Sequence, residues 1–323
     1  MIFLYGSNGG LQTIIDDYAS CLETQRWHEY SDLTAQMPAS RYADVSAARY
    51  FSADKSANGT MYLIEKVEVS GGGVMTVSGR SAVVELDHRT CGYTKRITGK
   101  PWAVLSALMA PLTEARSITP HLQADPNLGS SVRVQITWGQ IGERIREVLE
   151  AQGLSITAVR NSGIEITLLS PQYGGRFIGD RYRNADLGTY SVDESRWYTY
   201  AYVAGQGGGT GREVVEVSLS GERRELYVDA DDLSPDDLST AEYRELLDTR
   251  GREKLAEFSR IEVISAESDV PELGEVVRYD SDIVSEWLMC TQREIVREGG
   301  VTQYRASLGQ PTPTLKKAIR RLI

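Results

Sequence analysis

Along most of the chain apolar and polar residues alternate in single steps, and in four places the spacing changes to that of a helix. The first stretch, to about residue 96, is strand-like. Within it Met61, Leu63, Val67 and Val69 form one alternating run, and Val74, Thr76, Val83 and Leu86 a second, around the turn at Gly71 to Gly73. Period-two alternation broken by glycine predicts a half-buried antiparallel meander.

Helical spacing begins at Pro101, where a missing N–H is tolerated in a first turn, and carries Val104, Leu105, Leu108 and Met109 on one face. After the polar loop "HLQADPNLGSS", Ile141, Ile145, Val148 and Leu149 define a second amphipathic helix that Gly153 stops. "SITAVR" and "IEITLLS" read as short strands around the turn Asn161 to Gly163. Residues 97–172 are therefore expected to form an α+β insert.

A second β region follows. Tyr198, Tyr200 and Tyr202 alternate with Thr199, Ala201 and Val203, then "VAGQGGGTGR" at 203 to 212 packs five glycines into ten positions. "REVVEVSLSGERRELYV" alternates again, with its own turn near Gly221. The acidic loop "DADDLSPDD" leads into a third helix, where Ser239 and Glu242 make a capping box and Tyr243, Leu246, Leu247, Leu255 and Phe258 form the buried face. Gly251 interrupts this helix at roughly 1 kcal/mol relative to alanine, so a bend or a close packing partner is expected there. From Ile261 strands return, and "PTLKKAIRRLI" reads as a short basic helix.

The expected fold class is α+β, predominantly β. It comprises a first β-barrel domain over 1–96, the α+β insert over 97–172, a second β-barrel domain with its following helix over 173–260, and C-terminal strands with a short basic helix over 261–323. No repeat of fixed period supports a solenoid. At 323 residues each unit is long enough to bury a core.

Charge narrows the partners. With 45 acidic against 35 basic residues the net charge is −10, which argues against general nucleic-acid binding but not against a protein that nucleic acid passes without sticking. No 18-residue apolar run spans a membrane, and the start "MIFLYGSNGG" lacks the basic and apolar regions of a secretory signal, so synthesis in a reducing cytoplasm is expected.

Candidate chemistry fails motif by motif. The glycine loop lacks the dinucleotide spacing: Gly205 and Gly207 are followed by Thr210, and Gly207 and Gly209 by Arg212. A P-loop would end in a lysine and open a helix, whereas Gly211-Arg212 runs into a strand, so a hairpin tip is the better reading. Asp229, Asp231, Asp232, Asp236 and Asp237 could offer oxygens to calcium, but the sixth position of that frame is Ser234 instead of glycine. His28, His88 and His121 lie in separate segments without zinc spacing, and Cys21, Cys91 and Cys290 are an odd, scattered set that suits buried hydrophobes. No nucleophile elbow occurs. Catalytic, cofactor-binding and metal-binding residues are thus all expected to be none. The tyrosine stripe suits a barrel wall or subunit contact better than a sugar or base platform.

The order of elements then resembles a family: the small tail-tip hub proteins of long-tailed phages, which correspond to the N-terminal part of tail-associated lysins and to the baseplate hub of contractile tails. The resemblance is carried by "LQTIIDDYASCLETQRWHEYSDLTAQMP" at 11 to 38 and by "MYLIEKVEVSGGGVMTVSGRSAVVELDHRT" at 61 to 90, with Gly79-Arg80 and Arg89 in the Ser-Gly-Arg…Arg pattern. It continues in "RNADLGTYSVDESRWYTYAYVAGQGGGTGR" at 183 to 212 and in "EYRELLDTRGREKLAEF" at 242 to 258, with Arg250-Gly251 as its Arg-Gly signature. "YRASLGQP" looks like the closing strand, and too little follows it for a fibre, spike or peptidoglycan-cleaving extension.

The resemblance implies a non-enzymatic homotrimer in which two barrels per chain build a pseudo-sixfold ring closing the tail tube at the tip of the virion. Its partners would be the distal tail protein, the tape-measure protein and tail fibre or lysin proteins. DNA would transit the lumen without specific binding, and no membrane insertion or cofactor is implied. Two other readings stay open: a cell-wall hydrolase using carboxylates the sequence does not reveal, and a carbohydrate-binding module using the tyrosine face.

Overall fold

The computed structural model describes residues 1–54, 56, 59–92, 94–114, 119–258, 261–268, 270–282 and 285–309. Strands β1 (Ile2–Tyr5), β2 (Leu11–Ile15), β3 (Ser20–Arg26) and β4 (Asp32–Pro38) lead through α1 (Tyr42–Ala47) to β5 (Tyr50–Ser52), β6 (Tyr62–Val69) and β7 (Val74–Ser81). Next come β8 (Lys95–Gly99), α2 (Pro101–Glu114), β9 (His121–Leu122), β10 (Val132–Ile136), α3 (Ile141–Glu150), β11 (Ser155–Arg160) and β12 (Ile164–Leu169). The chain continues as β13 (Gln172–Ile178), β14 (Ala185–Asp193), β15 (Tyr200–Ala204), β16 (Val214–Ser218), β17 (Glu225–Asp229) and α4 (Thr240–Glu257). It ends in β18 (Ile261–Ser268), β19 (Glu275–Asp280), β20 (Ser285–Glu298) and β21 (Val301–Gly309). With 44% strand and 21% helix the protein is mostly β with some helices. The segment "PTLKKAIRRLI" lies outside the described residues.

Most strands join one 13-stranded sheet in the order β14-β18-β21-β20-β3-β4-β7-β6-β5-β1-β2, with β19 attached to β20 and β13 to β19. The two expected barrels do not close: among the described residues β14 and β2 end the path without pairing to each other. The reason is the long-range pairing of β3 with β20, from Ser20↔Glu298 to Arg26↔Gln292, which fuses the two β regions edge to edge. Each strand of that pair spends the edge that could have sealed its own region.

Eight of these strands form two groups with one internal order. In β3-β4-β7-β6 the strand that comes first in sequence lies at an edge, followed in space by the second, fourth and third. In β14-β18-β21-β20 the order is again first, second, fourth, third. Every pairing within both groups is antiparallel, as is the joint between them. One face is buried, as alternation requires: Leu33, Ala35 and Met37 in β4 and Met75 and Val77 in β7 are 0–1% exposed. At Gly79 a Cβ would run into the carbonyl of Leu63 and the ring of Phe51, so only glycine fits beside the irregularity in β6.

The helices fall where their spacing placed them. Val104, Leu105, Leu108 and Met109 of α2 and Ile141, Ile145, Val148 and Leu149 of α3 enter one apolar cluster together with Phe3, Tyr5, Tyr50 and Leu63. The cluster of Ile2, Leu4, Ile15, Cys21, Leu33 and Met75 fills the space beneath the first β region, and Ile178, Val277, Tyr279, Leu288 and Leu308 fill that beneath the last. Helix α3 is tied to α4 by the buried Arg144, whose guanidinium donates to Glu147 (2.7 Å) and Glu253 (2.6 Å). Burial alone would lower the Arg144 pKa, but those carboxylates outweigh it and hold the charge in place.

Helix α4 packs on a separate sheet of order β16-β15-β17. The capping box forms: the Glu242 N–H donates to Ser239 Oγ, and the Ser239 N–H to the Glu242 carboxylate. Gly251 does not break the helix. A Cβ there would lie 2.6 Å from Val217 Cγ2 and 2.7 Å from Val203 Cγ2, so the glycine marks a close packing partner. The turn near Gly221 does not return β17 beside β16. It carries the chain across the start of β15, so that β17 pairs parallel to β15 on the far side, with the Arg224 carbonyl accepting from the N–H groups of Thr199 and Tyr200.

Candidate functional site

The glycine loop joins β15 to β16 as a hairpin, Ala204 facing Val214 and Tyr200 facing Ser218. Its base is fixed and its tip is bare. The Tyr243 hydroxyl on α4 accepts from the Gln206 N–H at 2.7 Å and donates to the Leu233 carbonyl at 3.0 Å, and its ring leaves no room for a Cβ at Gly205. Arg212 closes the other side, donating to the carbonyls of Gly205 and Ala204, the Tyr227 hydroxyl (3.0 Å), and the carboxylates of Asp229 and Asp231. At Gly207, Gly208, Gly209 and Gly211 an added Cβ would meet nothing within 4 Å. The one guanidinium that could have met a phosphate is turned into its own loop.

The acidic stretch supplies ion-pair partners. Asp229 and Asp231 hold Arg212, Asp232 grips Arg250 of α4 at 2.8 and 3.0 Å, and Asp236 accepts from Ser234 Oγ at 2.7 Å. Arg250 of the Arg-Gly signature thus ties this loop to α4, while Gly251 allows the helix to approach the sheet. His121 faces Glu165 at 3.4 Å, and His28 and His88 lie in separate turns elsewhere. Among the described residues no group of three or more His, Cys, Asp or Glu is placed to hold a metal ion. All three cysteines are buried, and burial pushes the Cys21 thiol up to about 11 and that of Cys290 up to about 12, so neither offers a thiolate at neutral pH.

The tyrosine stripe divides. Tyr198 packs towards the core of α4 and meets Phe258 edge-on at 5.7 Å. Tyr200 and Tyr202 stand on the opposite face of β15 from Ala201 and Val203, which are buried under α4. Arg223 covers them, its guanidinium 3.8 Å from the Tyr200 ring centroid and donating to the Tyr202 hydroxyl at 2.7 Å. Tyr200 donates to Glu216, and this carboxylate raises the Tyr200 pKa. Tyr227, register partner of Tyr202, is 62% exposed. Only Tyr202 and Tyr227 thus mark an outward face of this open three-stranded sheet, while Tyr200 is buried beneath Arg223 and Tyr198 packs against α4.

A second aromatic patch had no counterpart in the sequence reading. Phe177 of β13 lies 5.7 Å from Tyr182 and 5.9 Å from Trp287 of β20, and each of the three is nearly half exposed. The two ends of this patch are 110 positions apart, and only the registers Phe177↔Arg278 and Arg278↔Trp287 bring them side by side. Among the described residues no helix is long and apolar enough to cross a membrane.

The architecture is that of phage tail proteins. A crystal structure of the prophage tail protein gp18 from Listeria monocytogenes EGD-e superposes with a TM-score of 0.63 over 99% of this chain and 98% of that one, at 11% identity. The 43 kDa tail protein of prophage MuSo2 from Shewanella oneidensis gives 0.61 over 96% and 98%, at 14% identity. The tail protein from Neisseria meningitidis MC58 gives 0.55 over 96% of each, at 11% identity. At such identities the likeness is one of fold. No curated protein matches the chain. A family model decides the relationship: the chain belongs to the Siphovirus ReqiPepy6 Gp37-like protein family, matched over residues 2–280. It is a member of a siphovirus protein family, and its fold is one that phage tail proteins share.

Proposed function

We propose that the chain is the hub subunit of a tail tip, three copies of which form a ring that closes the tail tube. The observation that carries this reading is the pair of four-stranded groups with one strand order, joined edge to edge in a single chain. Two equivalent units per chain make three chains a ring of six, which matches a tube of sixfold symmetry to threefold parts below it. The partners on this reading are the distal tail protein and tape-measure protein above and fibre or lysin proteins below. The exposed faces around Tyr227 and Trp287 are available to them.

The unburied face of the eight-stranded run lines the lumen on this reading. In β4 and β7 it carries Asp32, Thr34, Gln36, Thr76, Ser78 and Arg80, and in β21 Gln303, Arg305 and Ser307. Hydroxyls and amides predominate and the Arg80 guanidinium is already paired with Glu65, so this face offers DNA few counter-charges to condense on and lets it pass without being held. The sequence segments 1–96, 97–172, 173–260 and 261–323 are proposed as architectural divisions. The first two share an apolar cluster and are expected to unfold together.

Gold-labelled antibody against the chain, viewed on intact particles by electron microscopy, tests the placement. Label confined to the distal end of the tail is expected; label along the tube or on the head overturns it. A second reading, sugar binding at the tyrosine face, has Tyr227 exposed in its favour, but Arg223 and Glu216 already engage Tyr200 and Tyr202.

A further inference from the structure

We infer that the cleft between α3, α4 and the start of β10 is a binding site for a primary ammonium group on an aliphatic stem, the chemistry of a lysine side chain or of a free alkyl polyamine. The site is formed within one chain and goes beyond the ring reading. Its volume is about 510 Å³, in the range that small-molecule sites occupy. Val148 of α3, Ala151 just beyond it and Val132 of β10 give the cleft an aliphatic wall. The other wall is a row on α4, Glu245, Thr249 and Glu253, which four-residue spacing places on one face. Gln152 braces the mouth: its side-chain carbonyl accepts from the Ser130 N–H at 2.6 Å and its amide donates to the Ser130 carbonyl at 3.1 Å.

Glu253 is the group that points to a cation. Its side chain is 3% exposed, its Oε2 accepts from Arg144, and its Oε1 accepts no hydrogen bond. A buried carboxylate oxygen without a donor is costly, and an N–H brought into the cleft relieves that cost. The ion pairs behind it are one cation short. Arg144 serves Glu147 as well as Glu253, and Arg250, 3.9 Å from Glu253, is engaged by Asp232 at 2.8 and 3.0 Å, so two guanidinium groups face three carboxylates. Further out, Arg133 and Arg252 again face three carboxylates, those of Glu242, Glu245 and Asp248. Burial, reinforced by the charge of Glu147, pushes the Glu253 carboxyl above its ordinary value against the pull of Arg144.

The donor geometry narrows the class. A guanidinium binds a carboxylate best through both oxygens, and Oε2 of Glu253 is already taken. An ammonium is satisfied by single acceptors, here Oε1 and the Thr249 hydroxyl, which donates to the Glu245 carbonyl at 3.0 Å and keeps its lone pairs. The cation in the wall does not compete for the place: Arg252 is drawn onto Asp248 at 2.7 Å and its side chain is 55% exposed. A metal ion needs several oxygens gathered at one point, and among the described residues no such group exists.

Amide chemical shifts of the isotope-labelled full chain, followed during titration with butylammonium, test the site. Saturable shifts are expected in residues 130–132, 148–152 and 249–253, with none for butanol and weaker binding for butylguanidinium. Two further probes identify the source of the ammonium: tighter binding of acetyl-lysine amide points to a partner's lysine side chain, and tighter binding of spermidine to a free polyamine. Glu253→Gln keeps the shape of the wall and removes one charge-assisted hydrogen bond, so binding should weaken about tenfold or more. Ala151→Leu fills the cleft from the aliphatic side, leaves the Arg144 cluster whole, and is expected to abolish the shifts even where loss of the Glu253 charge unfolds the chain. The absence of saturable shifts with all of these amines, equal shifts with butanol, or undiminished binding in Ala151→Leu overturns the inference.

Discussion

Replacing Gly251 by alanine sets two effects of known size against each other. In a helix interior alanine is favoured over glycine by about 1 kcal/mol, so on propensity alone the change stabilises α4. Against this, the new Cβ would lie 2.6 Å from Val217 Cγ2 and 2.7 Å from Val203 Cγ2. Both valines are 0–1% exposed, both sit in the paired strands β15 and β16, and β-branching leaves neither a second comfortable rotamer. Forcing a methyl into such a site costs about 1–3 kcal/mol, so the net loss expected is about 1 kcal/mol. Removing one obstacle identifies the cause. Val217→Ala alone opens a cavity, but combined with Gly251→Ala it makes room for the added methyl, so the double variant should be more stable than the sum of the singles by on the order of 1 kcal/mol. Urea unfolding of the four proteins followed by circular dichroism reads the cycle. A neutral or stabilised Gly251→Ala, or strict additivity, would refute the close-packing account and return Gly251 to an ordinary helical position.

The other expectations concern the loop and the ion pairs. Tyr243→Phe leaves the Gln206 N–H and the Leu233 carbonyl without their partner while keeping the ring, so a loss of about 1–3 kcal/mol and faster amide exchange at Gln206 are expected; unchanged exchange would contradict the pinning of the loop base. Gly205→Ala should destabilise through the Tyr243 ring, whereas Gly208→Ala, with open space around its Cβ, should leave the unfolding midpoint unchanged; equal effects would count against a fixed base and free tip. The Arg80 guanidinium, donating to Glu65 at 2.6 and 2.7 Å, holds that carboxyl below its ordinary value of 4.5. As pH falls the unfolded chain takes up this proton first, so the contribution is present above about pH 4.5 and lost as pH drops through the lower folded value. Glu65→Gln should accordingly weaken the acid dependence of the urea midpoint, and an unaltered slope would show that the pair does not contribute.

What the sequence made legible was local. α2, α3 and α4 were readable because three- and four-residue spacing of Leu105, Ile145 or Leu246 decides a helix without reference to the rest of the chain, and the Ser239 cap lies three residues from its partner. Strand existence was legible for the same reason in β6, β7, β11 and β12, but the run Val74, Thr76, Val83 and Leu86 marked the wrong face of β7: Met75 and Val77 are the buried residues, Val74 is exposed, and Ala82–Leu86 form a 3-10 helix beyond the strand. Strand partnership was not. The pairing of β3 with β20 joins residues more than 260 apart, and nothing in the alternation of either strand specifies which edge it meets. That pairing turned two expected barrels into one open sheet. The parallel placement of β17 was hidden likewise, since a turn at Gly221 is compatible with return to either side of β15. The glycine loop was legible as a hairpin tip from its failed spacing. Its anchor on Tyr243 was not, because that residue reads equally as a core position of α4, which it also is. The two groups of equal strand order leave no repeat in the sequence because the shared property is topology.

The central claim is the threefold ring. Light scattering on purified chain, across a concentration series and again with the distal tail protein added, measures it most directly. The expected result is a particle of three times the 35.7 kDa chain mass, alone or with that partner. A single-chain mass under both conditions would contradict the account.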